Sequence, residues 1–202
     1  MQSADAEALW QLIERRTRPD ADAAAIDRQI WDRFGGEWAV MFTDLAGFSR
    51  QVARFGIVHF LQTIYEQKRT LVPIVERHGG VVIKYEADSL LILFPAAAAA
   101  LESAVAMQRA CRALNAQRSP EEHVVLCVGI GHGRLLRIGD DDVYGLEVNL
   151  ASKLGEDTAI GREILVTRAA RGSIGEFAGV IWEEVEAEYA GESICWRARY
   201  EE

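Results

Sequence analysis

The run Trp38-Ala39-Val40-Met41-Phe42, followed by Thr43-Asp44-Leu45-Ala46-Gly47, constrains this chain more than any other stretch. Ala39 to Phe42 are apolar without a break, the pattern of a buried strand. Asp44-Leu45-Ala46-Gly47 interrupts that pattern, and an amphipathic helix begins near Phe48. A carboxylate therefore stands where a strand ends and a helix begins. There the free N–H groups of the first helical turn and the helix dipole favour an anion, and Asp44 can hold a hard cation beside it. The combination suits metal-bound phosphate. A plain helix cap, by Asp44 or Ser49, is the simpler reading for a lone carboxylate in a turn, so other residues must decide.

Ahead of this strand, Leu9, Leu12 and Ile13, then Ile26, Ile30, Trp31 and Phe34, fall at helical spacing around Thr17-Arg18-Pro19-Asp20. They predict two short amphipathic helices, and Gly35-Gly36 marks a boundary after them. Residues 1–36 read as a docking or regulatory segment and 37–202 as the main domain. After Asp44 a helical pattern runs from Phe55 to Val75, with Gly56 as a possible interruption. Two apolar runs, 80–84 and 89–94, join through Tyr85-Glu86-Ala87-Asp88, a hairpin with a polar tip. An Ala-rich helix over 95–115 and a strand over 124–130 follow, and Gly129, Gly131 and Gly133 at the end of that strand suggest close backbone approach. A helix over 148–154, a strand over 163–167 and further strands near 180–182 and 194–196 complete the chain. The order β-α-β-β-α-β is that of a split βαβ unit, so the fold class is α+β with a ferredoxin-like core. In that arrangement the strand ending at Asp44 lies beside the hairpin of Asp88. Two carboxylates meeting near a helix N-terminus are what two divalent cations holding a triphosphate need.

Composition removes several classes of function. The 202 residues are half apolar, enough for one well-cored domain with an appendage. The 31 acidic against 22 basic residues leave a net charge of -9, which disfavours nucleic acid and anionic membrane as partners. No apolar stretch is long enough to insert in a membrane and no leader pattern opens the chain, so a cytoplasmic location is expected. The three widely spaced cysteines fit buried reduced thiols. His59, His78, His123 and His132 lack the paired spacing of a zinc site or a nucleophile relay.

At this point the residues resemble a family. Phe42-Thr43-Asp44-Leu45-Ala46-Gly47-Phe48-Ser49 is similar to the first metal motif of class III nucleotidyl cyclases. Lys84-Tyr85-Glu86-Ala87-Asp88 resembles that family's Lys-x-x-Gly-Asp hairpin, with Ala87 in place of the glycine. Asp142 to Leu154 resembles its Asp-x-x-Gly-x-x-Val-Asn-x-Ala-x-Arg-Leu motif, with Lys153 in the arginine position. Three motifs in order, on elements read independently, are jointly specific.

The resemblance implies a ferredoxin-like core of the class III cyclase type and a homodimer with composite interface sites. Asp44 and Asp88 of one chain would bind two Mg2+ or Mn2+ ions per site, and the partner would supply Lys84, Asp142, Asn149 and Lys153. The backbone from Leu45 through Ala46 and Gly47 to Phe48 would hold phosphate oxygens, and Lys84 and Asp142 would read adenine, making ATP the substrate. Asn149 would orient the ribose, and Lys153 would stabilise charge on the α-phosphate, with Arg137 as a further phosphate contact or else a solvated strand-end charge. Lysine lacks the planar fork of arginine, which predicts a slow enzyme. The alternatives are a cyclase-like nucleotide-binding module and a cyclase for another base. A diguanylate cyclase is disfavoured because the hairpin lacks the Gly-Gly-Asp/Glu-Glu-Phe tip.

Overall fold

The computed structural model describes residues 3–189 and 192–201; of residues 48–51, 188, 189 and 192–194, Phe48 and Ser49 among them, the backbone alone is described. Two amphipathic helices open the chain, α1 (Ala4–Arg16) and α2 (Ala23–Phe34). Each is capped as its sequence suggests: Ser3 Oγ accepts from the Ala6 N–H at 3.3 Å and Asp22 Oδ1 from the Ala25 N–H at 2.9 Å. Then come β1 (Gly35–Leu45), α3 (Phe48–Phe55), α4 (Ile57–Arg77), β2 (Val81–Glu86), β3 (Ser89–Phe94) and α5 (Ala97–Asn115). The chain continues through β4 (Leu126–Ile138), β5 (Asp142–Tyr144), α6 (Leu146–Ser152), a single π-helical turn at Lys153–Thr158, β6 (Ile164–Val166), α7 (Arg168–Ile174), β7 (Val180–Tyr189) and β8 (Glu192–Tyr200). No described helix is long and apolar enough to cross a membrane.

The strands form one sheet in the order β2-β3-β1-β4-β6-β8-β7, with β5 paired to β4. Its first four strands are the split βαβ arrangement, with β1 antiparallel to both β3 and β4. Alternate residues of β1 serve opposite faces. Ala39, Met41 and Leu45 pack with Phe60, Leu71, Leu101 and Met107 under α4 and α5. Val40 and Phe42 pack with Leu91, Leu93, Val148 and Ala151 under α6. A strand covered on both faces must be apolar throughout, which is why this run shows no alternation. Asp44 continues the Val40–Phe42 face near the end of β1, opposite Cys127 of β4.

Two sequence boundaries move. Gly35-Gly36, expected to separate the helices from the strand, is the start of β1 itself, paired with Leu136 and Leu135. The strand expected at 124–130 runs on to Ile138, because its far half is sheltered by the helical pair: Leu9, Ile26, Ile30 and Phe34 bury Ile138, with Leu136 alongside. The interruption expected at Gly56 is present, at φ 84°, a conformation that favours glycine, and it divides α3 from α4. Cys111, Cys127 and Cys195 are buried and unbridged, and burial pushes the first two thiols up to about 12.

Candidate functional site

β1 and the β2–β3 hairpin bring Asp44 and Asp88 together. Thr43 pairs with Leu90, and the next step along the two strands sets Asp44 against Ser89, whose hydroxyl donates to Asp44 Oδ1 at 3.2 Å. Asp88 occupies the second position of the two-residue turn and is buried. Gln67, fully buried on α4, donates to the Asp88 carbonyl at 2.8 Å and fixes the turn from below. Ala87, at the first turn position, has φ 49°, where such a turn favours glycine. The family pattern's glycine has its physical reason there, and alanine carries the strain.

The two carboxyl groups disturb each other. Burial and then the charge of Asp44 push the Asp88 carboxyl up to about 6. Burial also raises Asp44, against bonds from Asp88, the Leu45 N–H and Ser89 that lower it. Like charges held together out of water favour either a shared proton or a cation. Two hard anionic oxygen donors at a helix N-terminus fit divalent magnesium or manganese.

The backbone after Asp44 divides in its duties. The Leu45 N–H is directed at the carboxylates, whereas the Ala46 N–H is donated to the Val125 carbonyl at 2.9 Å. Ala46 therefore differs from the phosphate-holding role expected of it, because strand pairing already takes its amide. Gly47, at φ 86°, and the backbone of Phe48 begin α3.

A second cluster forms across β2 and β5. Lys84 Nζ donates to Asp142 Oδ2 at 2.7 Å, joining residues 58 apart in sequence. β2 shifts register between Val82 and Lys84, a bulge of the kind that re-aims side chains. Burial presses the Lys84 pKa down, but the bond to Asp142 and the charges of Asp142, Glu86 and Tyr144 together outweigh it, and the ammonium is held above its ordinary value. The same Asp142 oxygen accepts from the Tyr144 hydroxyl at 3.1 Å, and Asp142 Oδ1 accepts from the Val143 N–H at 2.8 Å.

α6 carries the third motif. It sits on the glycines of β4: a Cβ on Gly129 would lie 2.2 Å from the Ala151 carbonyl, and one on Gly131 would lie 2.5 Å from that of Glu147. Glu147 Oε2 pins the helix, accepting from the Thr167 hydroxyl at 2.6 Å and from the His132 N–H at 3.0 Å. Val148, Leu150 and Ala151 face inward, while Asn149 and Leu146 are exposed. Lys153 opens the π turn rather than ending an α-helix, and its ammonium pairs with Asp157 at 2.7 Å. Asp157 in turn adds to the raising of Asp44, so this turn lies close to the carboxylate pair.

Arg137 is not brought to either cluster. Its guanidinium donates to the Gly139 carbonyl at 2.9 Å and to Asp140 at 2.7 Å, and lies over the Trp38 ring. Its donors hold the β4–β5 turn within this chain. Glu86 adds only its charge beside Lys84, and no group of three His, Cys, Asp or Glu side chains gathers as a metal site among the described residues. Gln67, Ser89 and Tyr144 make contacts with these clusters that sequence reading missed. Gln67 had a signal: it is a polar residue at a core position of the stripe Phe60, Ile64, Leu71, Ile74.

Comparison with known proteins agrees with this geometry. An adenylate cyclase of Streptomyces coelicolor is 31% identical over 160 residues, 74% of this chain and 39% of that protein. A Rhizobium meliloti protein provisionally named adenylate cyclase 3 is 32% identical over 116 residues, 57% of this chain and 20% of that protein. The chain thus spans less than half the length of these curated relatives. Among solved structures, the adenylyl cyclase CyaB from P. aeruginosa superposes with a TM-score of 0.71 at 19% identity, over 83% of this chain and 96% of that one. The guanylyl cyclase Cya2 gives 0.69 at 20%, over 81% and 92%. The family model described as adenylate and guanylate cyclase catalytic domain matches residues 35–184. Fold, motifs and match coincide, and the chain belongs to the adenylate and guanylate cyclase catalytic domain family.

Proposed function

We infer that this chain is an adenylate cyclase, converting ATP to cyclic AMP and pyrophosphate in a homodimer with composite sites. The observation that carries the reading is the Asp44–Asp88 pair, two carboxyl groups pressed together with raised pKa values at the start of a helix. Asp44 and Asp88 would hold two Mg2+ or Mn2+ ions, which when bound acidify the ribose 3′-hydroxyl and neutralise the triphosphate. The 3′-oxygen bonds to the α-phosphorus, its proton leaves, and the bond from that phosphorus to the pyrophosphate oxygen breaks.

The remaining work belongs to this chain's side chains. Lys84 donates to a ring nitrogen while Asp142 accepts from an exocyclic amine, and their contact at 2.7 Å supports a donor beside an acceptor, the order adenine needs. Asn149, exposed on α6, orients the ribose, and Lys153, half-buried at the start of the π turn, meets charge on the α-phosphate. The backbone at Gly47 and Phe48 faces the triphosphate. A second copy is supported by an apolar face left open on α4: Ile57, Val58, Leu61 and Tyr65 share one side of the helix, with Val58 78% exposed.

The test is turnover. Purified protein with Mn2+ or Mg2+ and each of the four ribonucleoside triphosphates, products read by mass, is expected to yield cyclic AMP from ATP. No cyclic product under either metal, with the dimer intact, overturns the reading. One observation favours a second reading, a domain that binds nucleotide without turning it over: Lys153 is a single point charge and is engaged by Asp157. Lys153→Arg separates the two. In a slow cyclase the planar fork restores a two-point grip and raises kcat on the order of tenfold. Binding without product in both forms supports the module.

A further inference from the structure

Tyr144 is the described side chain that touches the base-reading pair yet has no place in the function proposed above. Its hydroxyl meets Asp142 Oδ2 at 3.1 Å, the oxygen that also accepts from Lys84 at 2.7 Å, while Oδ1 accepts from the Val143 N–H at 2.8 Å. A carboxylate offers about four acceptor directions, two on each oxygen. Two donors fill Oδ2 and one occupies Oδ1, so a single direction remains, and it lies on Oδ1. We propose that Tyr144 is a positioning residue for base recognition: by occupying Asp142 Oδ2 together with Lys84, it turns the free direction of Oδ1 toward the exocyclic amine of the base. This rests on the reading of Lys84 and Asp142 as base contacts.

Tyr144 is placed by strand pairing. It stands opposite Leu136 in the β4–β5 pair and lines a cavity of about 330 Å³ with Leu9, Trp10, Ile13 and Trp31 of the helical pair. The phenol is 41% exposed, with one side on this cavity and its hydroxyl on Asp142. Without that tip, among the described residues, Oδ2 is held by a flexible lysine alone, and the bond from the Val143 N–H to Oδ1 is the one backbone restraint on a terminal torsion with a broad, shallow profile. The amine then meets Asp142 in several orientations instead of one.

The experiment compares ATP with purine riboside 5′-triphosphate, the same base without its exocyclic amine, on wild type and Tyr144→Phe. Two readouts are used: kcat/KM for cyclisation, and Kd from displacement of a fluorescent ATP analogue. Loss of a hydrogen bond that orders a charged acceptor is expected to weaken ATP by about fivefold to tenfold, in KM and Kd more than kcat, leaving the amine-free analogue within about twofold. Equal losses for both nucleotides would make Tyr144 merely structural and overturn the proposal, as would no loss for either. Wild type that binds ATP without turning it over defeats the cyclase reading, while the Kd ratio still decides Tyr144. Wild type that binds neither nucleotide overturns both. Unchanged thermal melting of Tyr144→Phe guards against misfolding.

Discussion

Asp88→Asn is expected to abolish turnover and, in the same molecule, to stabilise the metal-free protein at neutral pH. The loss follows from removing half of the proposed cation-binding pair; several kcal/mol of charge stabilisation in the transition state corresponds to a fall on the order of a thousandfold. The gain follows from the sign of the shift. Asp88 has a folded pKa of about 6, above that of an unfolded aspartate. A carboxyl raised on folding contributes stability that is fully present below its unfolded pKa and lost as pH rises through the folded value. Above about pH 6, the cost of a buried charge and then repulsion from Asp44 weaken the fold, and an asparagine that cannot ionise removes both. At pH 7.5 with chelator, Asp88→Asn should melt higher by about 2–4 °C, the change that about 1 kcal/mol produces in a chain of this size. The difference should fade toward pH 4. Added Mn2+ should raise the melting temperature of wild type and leave the variant unmoved. A variant that melts below wild type in chelator at pH 7.5, or responds to Mn2+ as wild type does, would sink the metal-pair reading whatever the activity.

Gly129→Ala is expected to be nearly as damaging, through packing alone. The added Cβ would stand 2.2 Å from the Ala151 carbonyl oxygen and 2.4 Å from the Gly155 amide nitrogen. Both are backbone atoms, so no side chain can swing aside; α6 and the π turn must lift from β4. Overpacking of this kind costs about 1–3 kcal/mol, which lowers the melting temperature by roughly 2–12 °C. α6 carries Asn149 and opens into Lys153, so a displacement of about 1 Å is expected to reduce kcat/KM on the order of a hundredfold. Gly172→Ala, where the new methyl meets nothing within 4 Å, is the matched control and should alter neither quantity appreciably. A Gly129→Ala protein with wild-type melting and turnover would show that close contact with β4 does not position α6.

The parts of this molecule that the sequence disclosed are those governed by short-range pattern. The unbroken apolar run of β1, the hairpin tip at Asp88 and the spaced glycines of β4 each have a local physical cause and stand where they were expected. The meeting of Asp44 and Asp88 followed from strand order once the βαββαβ alternation was read. What remained hidden depends on long-range partners. Whether Gly35-Gly36 is a break or a strand depends on Leu135 and Leu136, a hundred residues on. β5 is three residues long and exists because β4 extends to meet it. The π turn at Lys153 reads as ordinary helix, since its departure comes from Gly155 packing against the Phe42 carbonyl. The engagement of Arg137 by Trp38, a hundred residues before it, was likewise outside local pattern.

β4 spans thirteen residues and touches almost every part described above. Leu136 and Ile138 at one end are sheltered by the N-terminal helical pair, Gly129 and Gly131 in the middle seat α6, and Cys127 near the other end pairs with Asp44. A strand shared in this way leaves the helical pair no cooperative unit of its own to melt. Amide exchange along β4 should be the slowest in the protein and uniform from Cys127 to Leu136, opening only with global unfolding. Loosening of the helical pair should then register as faster exchange beneath α6, so heat or denaturant would remove appendage and site in a single transition.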